Sequence, residues 1–253
     1  MWQKLKALCH SGGDMPADSS VAGPNSGKAE LVLGVDTCGP SGSVALGRIF
    51  AGSVQILGQK ELAGRSYSAT VVAAIAELLA DSGASLRDLR AIVAVHGPGS
   101  FTGVRVGLSA VKGLAEPGET AVVPVSRLEV LAWKARVTSS ALDAHRHEVF
   151  LHVGEGSEGR ELLAGNVELR SIQVPPRQVA VCDEGATALL SSAWPDTDLR
   201  QTGAPTAADA IQYAVPRIVT GESVDLALLD GHYLRRSGIR GGPPVVVPGD
   251  TSG

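Results

Sequence analysis

Residues 91–115 read Ala-Ile-Val-Ala-Val-His-Gly-Pro-Gly-Ser-Phe-Thr-Gly-Val-Arg-Val-Gly-Leu-Ser-Ala-Val-Lys-Gly-Leu-Ala. The apolar, β-branched run Ala91 to Val95 has the character of a buried parallel strand, the Gly-Pro-Gly that follows breaks it, and Val104, Leu108 and Val111 resume at helical spacing. The stretch is therefore strand, glycine-rich loop, helix. Gly97, Gly99 and Gly103 let the backbone turn tightly and approach whatever lies above the strand end, while Ser100 or Thr102 can cap the helix. A loop of this kind can receive an anion at the helix N-terminus. Its spacing, G-x-G-x-x-x-G, is neither the dinucleotide fingerprint nor a P-loop, since no Lys-Ser or Lys-Thr follows the last glycine. A purely structural turn is the competing reading.

Upstream, Leu31 to Asp36, Ser43 to Ile49 and Val54 to Leu62 read as a three-strand meander. Ser68 to Ser82 reads as a helix whose Val71, Val72, Ile75, Leu78 and Leu79 form a core-facing stripe. Downstream come a strand at Ala121 to Val125 and a helical turn at Leu128 to Ala135. The order β-β-β-α-β-α-β is that of a ribonuclease-H-like lobe. A weaker echo follows, with strands at Val137 to Ala144, Glu148 to Val153, Glu161 to Leu169 and Gln178 to Cys182, then a helix from Ala186. A further helix at Ala207 to Thr220 should kink or end near Val215, because Pro216 lies within it. Two lobes of similar order imply an internal duplication and an α/β, actin-like ATPase (ASKHA) fold. The expected division is a flexible leader over 1–29, an N-terminal lobe over 30–135, a C-terminal lobe over 136–237 and a disordered tail over 238–253.

With 253 residues, 44% of them hydrophobic, the chain can bury a sizeable core. A net charge of -4, with no basic cluster larger than Arg235-Arg236, lacks the electrostatic footprint of a stand-alone nucleic-acid binder. No apolar run approaches membrane-spanning length, so no membrane association is expected. Cys9, Cys38 and Cys182 are odd in number and lack metal-ligand spacing, which suits reduced thiols in a cytoplasmic protein.

Both helices of the first lobe carry a second face. Ala69, Ala73, Ala76 and Ala80 line up beside the bulky stripe of one, and Gly103, Gly107 and Ala110 do the same on the other. Small side chains let helix axes approach, so the pair can form a ledge for a matching pair on another subunit. The alternative is that alanine is simply the best helix former and the glycines serve close packing on the sheet.

Catalytic machinery is hard to find. The histidines form no H-x-x-x-H or H-E-x-x-H, and His145 and His147, two apart on one strand face, lack a third ligand. His96, at the strand end beside the loop, is either functional or a polar rim residue. No serine lies in a G-x-S-x-G elbow, which argues against a hydrolase. Asp36 ends the first strand, where an actin-like ATPase keeps a carboxylate for Mg2+, and Thr37 opens the turn after it. With Gly97, Gly99 and Ser100 these are the nucleotide-binding candidates, and they support an alternative reading as a stand-alone ATP-dependent kinase or ATPase. That chemistry needs a second carboxylate, for which Asp183-Glu184-Gly185 is the nearest source. Asp before a Gly/Ser turn is also ordinary hairpin chemistry.

Gly97-Pro98-Gly99-Ser100-Phe101-Thr102-Gly103-Val104-Arg105-Val106-Gly107, with Val125-Ser126-Arg127-Leu128-Glu129-Val130-Leu131-Ala132, resembles the hallmark of the TsaB (YeaZ) family. Val35-Asp36-Thr37, Asp143-Ala144 with Arg146 and Glu148-Val149-Phe150, and Tyr233-Leu234-Arg235 extend the resemblance over roughly residues 31 to 237. It implies a two-lobed actin-like fold and a role in forming threonylcarbamoyladenosine beside the anticodon of tRNA. It further implies a heterodimer with the catalytic paralogue TsaD through the first-lobe helices, work alongside the ATPase TsaE, a homodimer when alone, and tRNA contact only through the complex. The chain would then be a non-catalytic scaffold with neither catalytic nor metal-binding residues. It would hold no tightly bound cofactor, save ATP or ADP with Mg2+ at the subunit junction. The chain departs from the family pattern at Tyr67 and Ala69, where a His and an acidic residue are common, at Cys38 in place of Ser, and at His232 in place of Pro.

Overall fold

The computed structural model describes residues 30–63, 67–154 and 159–234. The leader expected over 1–29 and the tail over 238–253 lie outside the described residues. Strands β1 (Glu30–Asp36), β2 (Ser41–Phe50) and β3 (Ser53–Ala63) form the antiparallel meander, followed by helix α1 (Tyr67–Asp81), β4 (Leu89–Val95), α2 (Phe101–Ala115) and β5 (Ala121–Val125). The sheet order is β3-β2-β1-β4-β5, with β4 parallel to both β1 and β5. Central parallel strands are covered on both faces and so need apolar side chains on both. Val32, Leu33, Ile92, Val93 and Val123 meet that need and are fully buried.

Helix α3 (Arg127–Ala135) leads to the second lobe. There β6 (Ser140–Asp143), β7 (Glu148–Val153), β8 (Arg160–Gly165), helix α4 (Asn166–Ser171), β9 (Gln178–Val181), α5 (Glu184–Ala193) and β10 (Asp198–Gln201) build a sheet of order β10-β9-β6-β7-β8. Read from its other edge, this is the order of the first sheet. The molecule is thus the two-lobed actin-like fold built by duplication.

Local differences from expectation have physical causes. The strand expected over Glu161 to Leu169 stops at Gly165, because the Gly165 N–H donates to Glu168 Oε2 at 2.9 Å and opens α4 instead. The strand expected from Val137 begins only at Ser140. Four-residue β10, whose Leu199 is its one apolar side chain, carries too little pattern to be foreseen. Helix α6 (Ala207–Val219) does not end before Pro216 but runs through it. Its last turn is held from outside, by Arg90 Nη2 donating to the Ile218 carbonyl at 2.7 Å and Arg217 Nη1 to that of Pro124 at 2.7 Å.

The lobes exchange helices. Helix α6 follows the second sheet in sequence, yet its Ala207, Ala210, Ile211, Ala214 and Ile218 belong to the first lobe's core, on strands β1 to β5. Conversely α3, which follows the first sheet, buries Leu128 and Leu131 against Leu142, Phe150 and Ala180 of the second. Each such aliphatic side chain contributes roughly 1.5–3 kcal/mol of burial. The two helices meet where Lys134 Nζ pairs with Asp209 Oδ2 at 2.8 Å and Trp133 stands edge-on to Tyr213. The boundary expected between 135 and 136 is therefore a boundary between sheets alone. It does not separate packing units, because the apolar faces of α3 and α6 are buried across it.

Candidate partner-docking face and interlobe cleft

Helices α1 and α2 lie side by side on the first sheet, on the face opposite α6. Val71, Ile75, Leu78 and Leu79 of α1 point into the core, and Val72 is half-buried against it. The opposite side of α1 is bare: Ala69, Ala73 and Ala80 are exposed and Ala76 is half-buried. The small residues of α2 behave differently. Gly103 and Gly107 are buried, and a Cβ would meet the Thr37 carbonyl oxygen at 2.0 Å from the first and Thr37 Oγ1 at 2.2 Å from the second. They are glycines because the turn after β1 presses on the helix, so these two expected partner-binding residues face inward. Ala110 is half-buried against the same core. What α2 turns outward is Phe101, Thr102, Arg105, Ser109 and Gly113. Phe101 is capped by the Arg105 guanidinium 3.8 Å from its ring centroid and by Tyr233 at 5.2 Å.

The nucleotide-binding candidates are brought together, but against one another. Gly97 adopts φ +120°, a conformation open to glycine, and Gly99 abuts the Cys38 carbonyl, where a Cβ would approach to 2.2 Å. Two backbone donors of the loop are already occupied: the Ser100 N–H donates to Cys38 O at 2.8 Å and the Gly103 N–H to Ser100 Oγ at 3.3 Å. Thr37 Oγ1 donates to Gly103 O at 2.7 Å. Asp36 is only 1% exposed, its Oδ1 accepting the Cys38 N–H at 2.8 Å and its Oδ2 the Arg127 Nε–H at 3.4 Å. Arg127, 5% exposed, keeps its charge: burial works most strongly against it, but Asp36, Cys38 and Cys182 together raise its pKa. Burial and the same carboxylate push the Cys38 thiol well up and the Tyr67 phenol up to about 12. Tyr67 donates to the Gly39 carbonyl at 2.8 Å, covering the turn.

Other readings change on inspection of the second lobe. His145 and His147 do not share a strand face; with Arg146 between them they form a turn of three left-handed residues, at φ 60°, 57° and 61°. Asp183, considered as a second cleft carboxylate, is consumed as the cap of α5, accepting from the Ala186 N–H at 2.7 Å and the Asp143 N–H at 3.0 Å. Among the described residues no cluster of three or more His, Cys, Asp or Glu is arranged to hold a metal ion, and no helix is long and apolar enough to cross a membrane.

A cluster that the sequence did not announce lies where the lobes meet. A cavity of about 240 Å3 is lined by His96, Ser126, Glu129, His152, Glu161 and His232. Glu161 receives Ser126 Oγ–H, which also caps α3, and faces His152 Nδ1 at 3.5 Å and His232 Nε2 at 2.8 Å. Burial alone would lift its carboxyl, yet the nearby His152 and His232 rings and the Ser126 hydroxyl prevail and hold it down at about 2. No spacing links residues 126, 152, 161 and 232; only the folded topology joins them.

Comparison with known proteins bears on this geometry. A family model described as TsaD, tRNA N6-adenosine threonylcarbamoyltransferase, matches residues 55–162. The tRNA threonylcarbamoyladenosine biosynthesis protein TsaB of Haemophilus influenzae is 36% identical over 125 residues, which are 47% of this chain and 51% of that protein. The protein of the same name from Escherichia coli is 29% identical over 224 residues, 81% of this chain and 95% of that one. Among solved structures, YeaZ from Pseudomonas aeruginosa superposes with a TM-score of 0.65 at 25% identity, over 81% of this chain and 100% of that chain.

Proposed function

This chain belongs to the TsaB (YeaZ) family, and on that footing we propose that it acts in threonylcarbamoyladenosine formation on tRNA as a non-catalytic docking subunit in the cytoplasm. Its partner is the catalytic paralogue TsaD, and TsaE and tRNA join through the complex; alone, the chain pairs with a second copy. The observation that carries the reading is the condition of Asp36. The carboxylate that a working actin-like ATPase would offer to Mg2+ is buried and already paired with Arg127, and the Ser100 and Gly103 N–H groups of the glycine loop are taken. A kinase reading lacks its metal-binding carboxylate, whereas a docking reading needs only the bare side of α1. Exposed Ala69, Ala73 and Ala80 supply a low ridge there on which a partner helix can lie close.

The test is A73R with A80R, because both side chains face outward, whereas an arginine at Gly107 would collide with Thr37 and confound binding with folding. Co-purification with TsaD should weaken at least about tenfold, while circular dichroism and thermal midpoint stay near wild type. A doubly substituted chain that still co-elutes with TsaD at wild-type affinity refutes the docking face.

A further inference from the structure

The carboxyl-terminal segment after α6 runs back across both lobes, and His232 fastens it to each. Its backbone N–H donates to the His96 carbonyl at 2.8 Å and its own carbonyl lies against Gly97, which ties the segment to the first lobe. Its side chain crosses to the second lobe, where Nε2 stands 2.8 Å from Glu161 Oε2. The next residue, Tyr233, leans on Phe101 at the head of α2. Residues 232 and 233 together therefore join strand β8, through the imidazole, to the end of β4, through the backbone, and to the α2 head, through Tyr233. We propose that His232 is a proton-operated latch: charged, it clasps the second lobe through Glu161 and seats Tyr233 on Phe101; neutral, it lets the segment lift and uncovers the Phe101 ring.

The neighbours set the direction. The Glu161 carboxylate, 2.8 Å away, raises the His232 pKa against the opposing effect of burial, and Glu129 adds to the rise. His96, ring to ring with His232 at 5.4 Å, is pushed down by burial and by that same neighbour, with Arg217 contributing. His152 completes the shell on the far side of Glu161, with its Nε2 3.1 Å from the Gly154 carbonyl. A histidine whose folded pKa is raised stabilises the closed form fully below its unfolded value of 6.5, and that contribution disappears as pH rises through the folded pKa. The latch thus opens on the alkaline side.

The test uses the full chain and NMR of its histidine rings, with amide exchange at His232 normalised to the core amide of Leu33. The His232 ring should titrate above 6.5, and its amide protection should fall across that titration by about tenfold for each unit of the rise. Glu161→Gln should return the ring to its ordinary value. Because that change also removes a partner from Ser126 and His152, His232→Asn is the second variant; it should show low protection at every pH while Leu33 stays protected. A ring that titrates at or below 6.5 in the wild type, or protection in His232→Asn equal to wild type at low pH, overturns the latch.

Discussion

Asp36 and Asp143 occupy the same place in the two lobes. Each ends the first strand of its sheet, and each turns Oδ1 back onto the N–H two residues ahead, Cys38 at 2.8 Å and His145 at 2.7 Å. Their surroundings have diverged. Asp36 is sealed beneath Tyr67 and neutralised by Arg127, whereas Asp143 remains about one-third exposed beside a solvated His145. Of the two matching carboxylates, one is plugged and the other sits in an open turn.

Removing the plug should be costly. Arg127→Met leaves the Asp36 carboxylate buried without its cation, and breaking a buried pair in this way destabilises by about 3–5 kcal/mol. Adding Asp36→Asn to the same chain should restore most of that loss. Urea denaturation of the three variants measures it, and additive losses would contradict the pairing.

The Thr37 contact makes a second forecast. Gly107→Ala places a Cβ where Thr37 Oγ1 stands, at 2.2 Å, and overpacking of this kind costs about 1–3 kcal/mol. Thr37→Ala, which removes that oxygen, should make the same alanine far better tolerated. A thermal-shift double-mutant cycle reads the coupling.

Acid should weaken the lobe junction through Glu161. Its folded pKa of about 2 lies below the unfolded 4.5, so its contribution is complete above pH 4.5 and is lost as pH falls toward 2. The shift corresponds to a contribution on the order of 3 kcal/mol. Glu161→Gln should flatten the acid limb of a stability-against-pH curve, and an unchanged limb would place the sensitivity elsewhere.

Ser126 joins capping to lobe contact, since its hydroxyl accepts the Leu128 N–H and donates to Glu161. Ser126→Ala should lose about 1 kcal/mol from the cap and lift the Glu161 pKa together. Ser126→Thr, which keeps the hydroxyl, should recover both. Chemical denaturation and carboxyl-carbon NMR separate the two effects.

The first lobe was legible in the sequence because its elements are long and periodic: the β-branched run at 91–95 and the spacing of Val71, Ile75 and Leu78 each admit one structure. A four-residue strand such as β10 offers no comparable period. The exposed alanines of α1 followed from helical geometry alone. Gly103 and Gly107 could not be oriented that way, because a missing side chain does not say whether it yields to another subunit or to Thr37. Arg127 was visible as a residue of the family motif, but its partner lies ninety-one positions away. Likewise His152, Glu161 and His232 come from separate elements, and no local pattern foretells their meeting.

The exchange of α3 and α6 between sheets has a consequence during synthesis. When β5 emerges from the ribosome, the side of the first sheet destined for Ile211 and Ile218 is still uncovered, and it stays so until α6 has been translated. A nascent chain halted near residue 200 would display that apolar surface to chaperones or to other stalled copies, so synthesis of α6 and closure of the earliest lobe are one event.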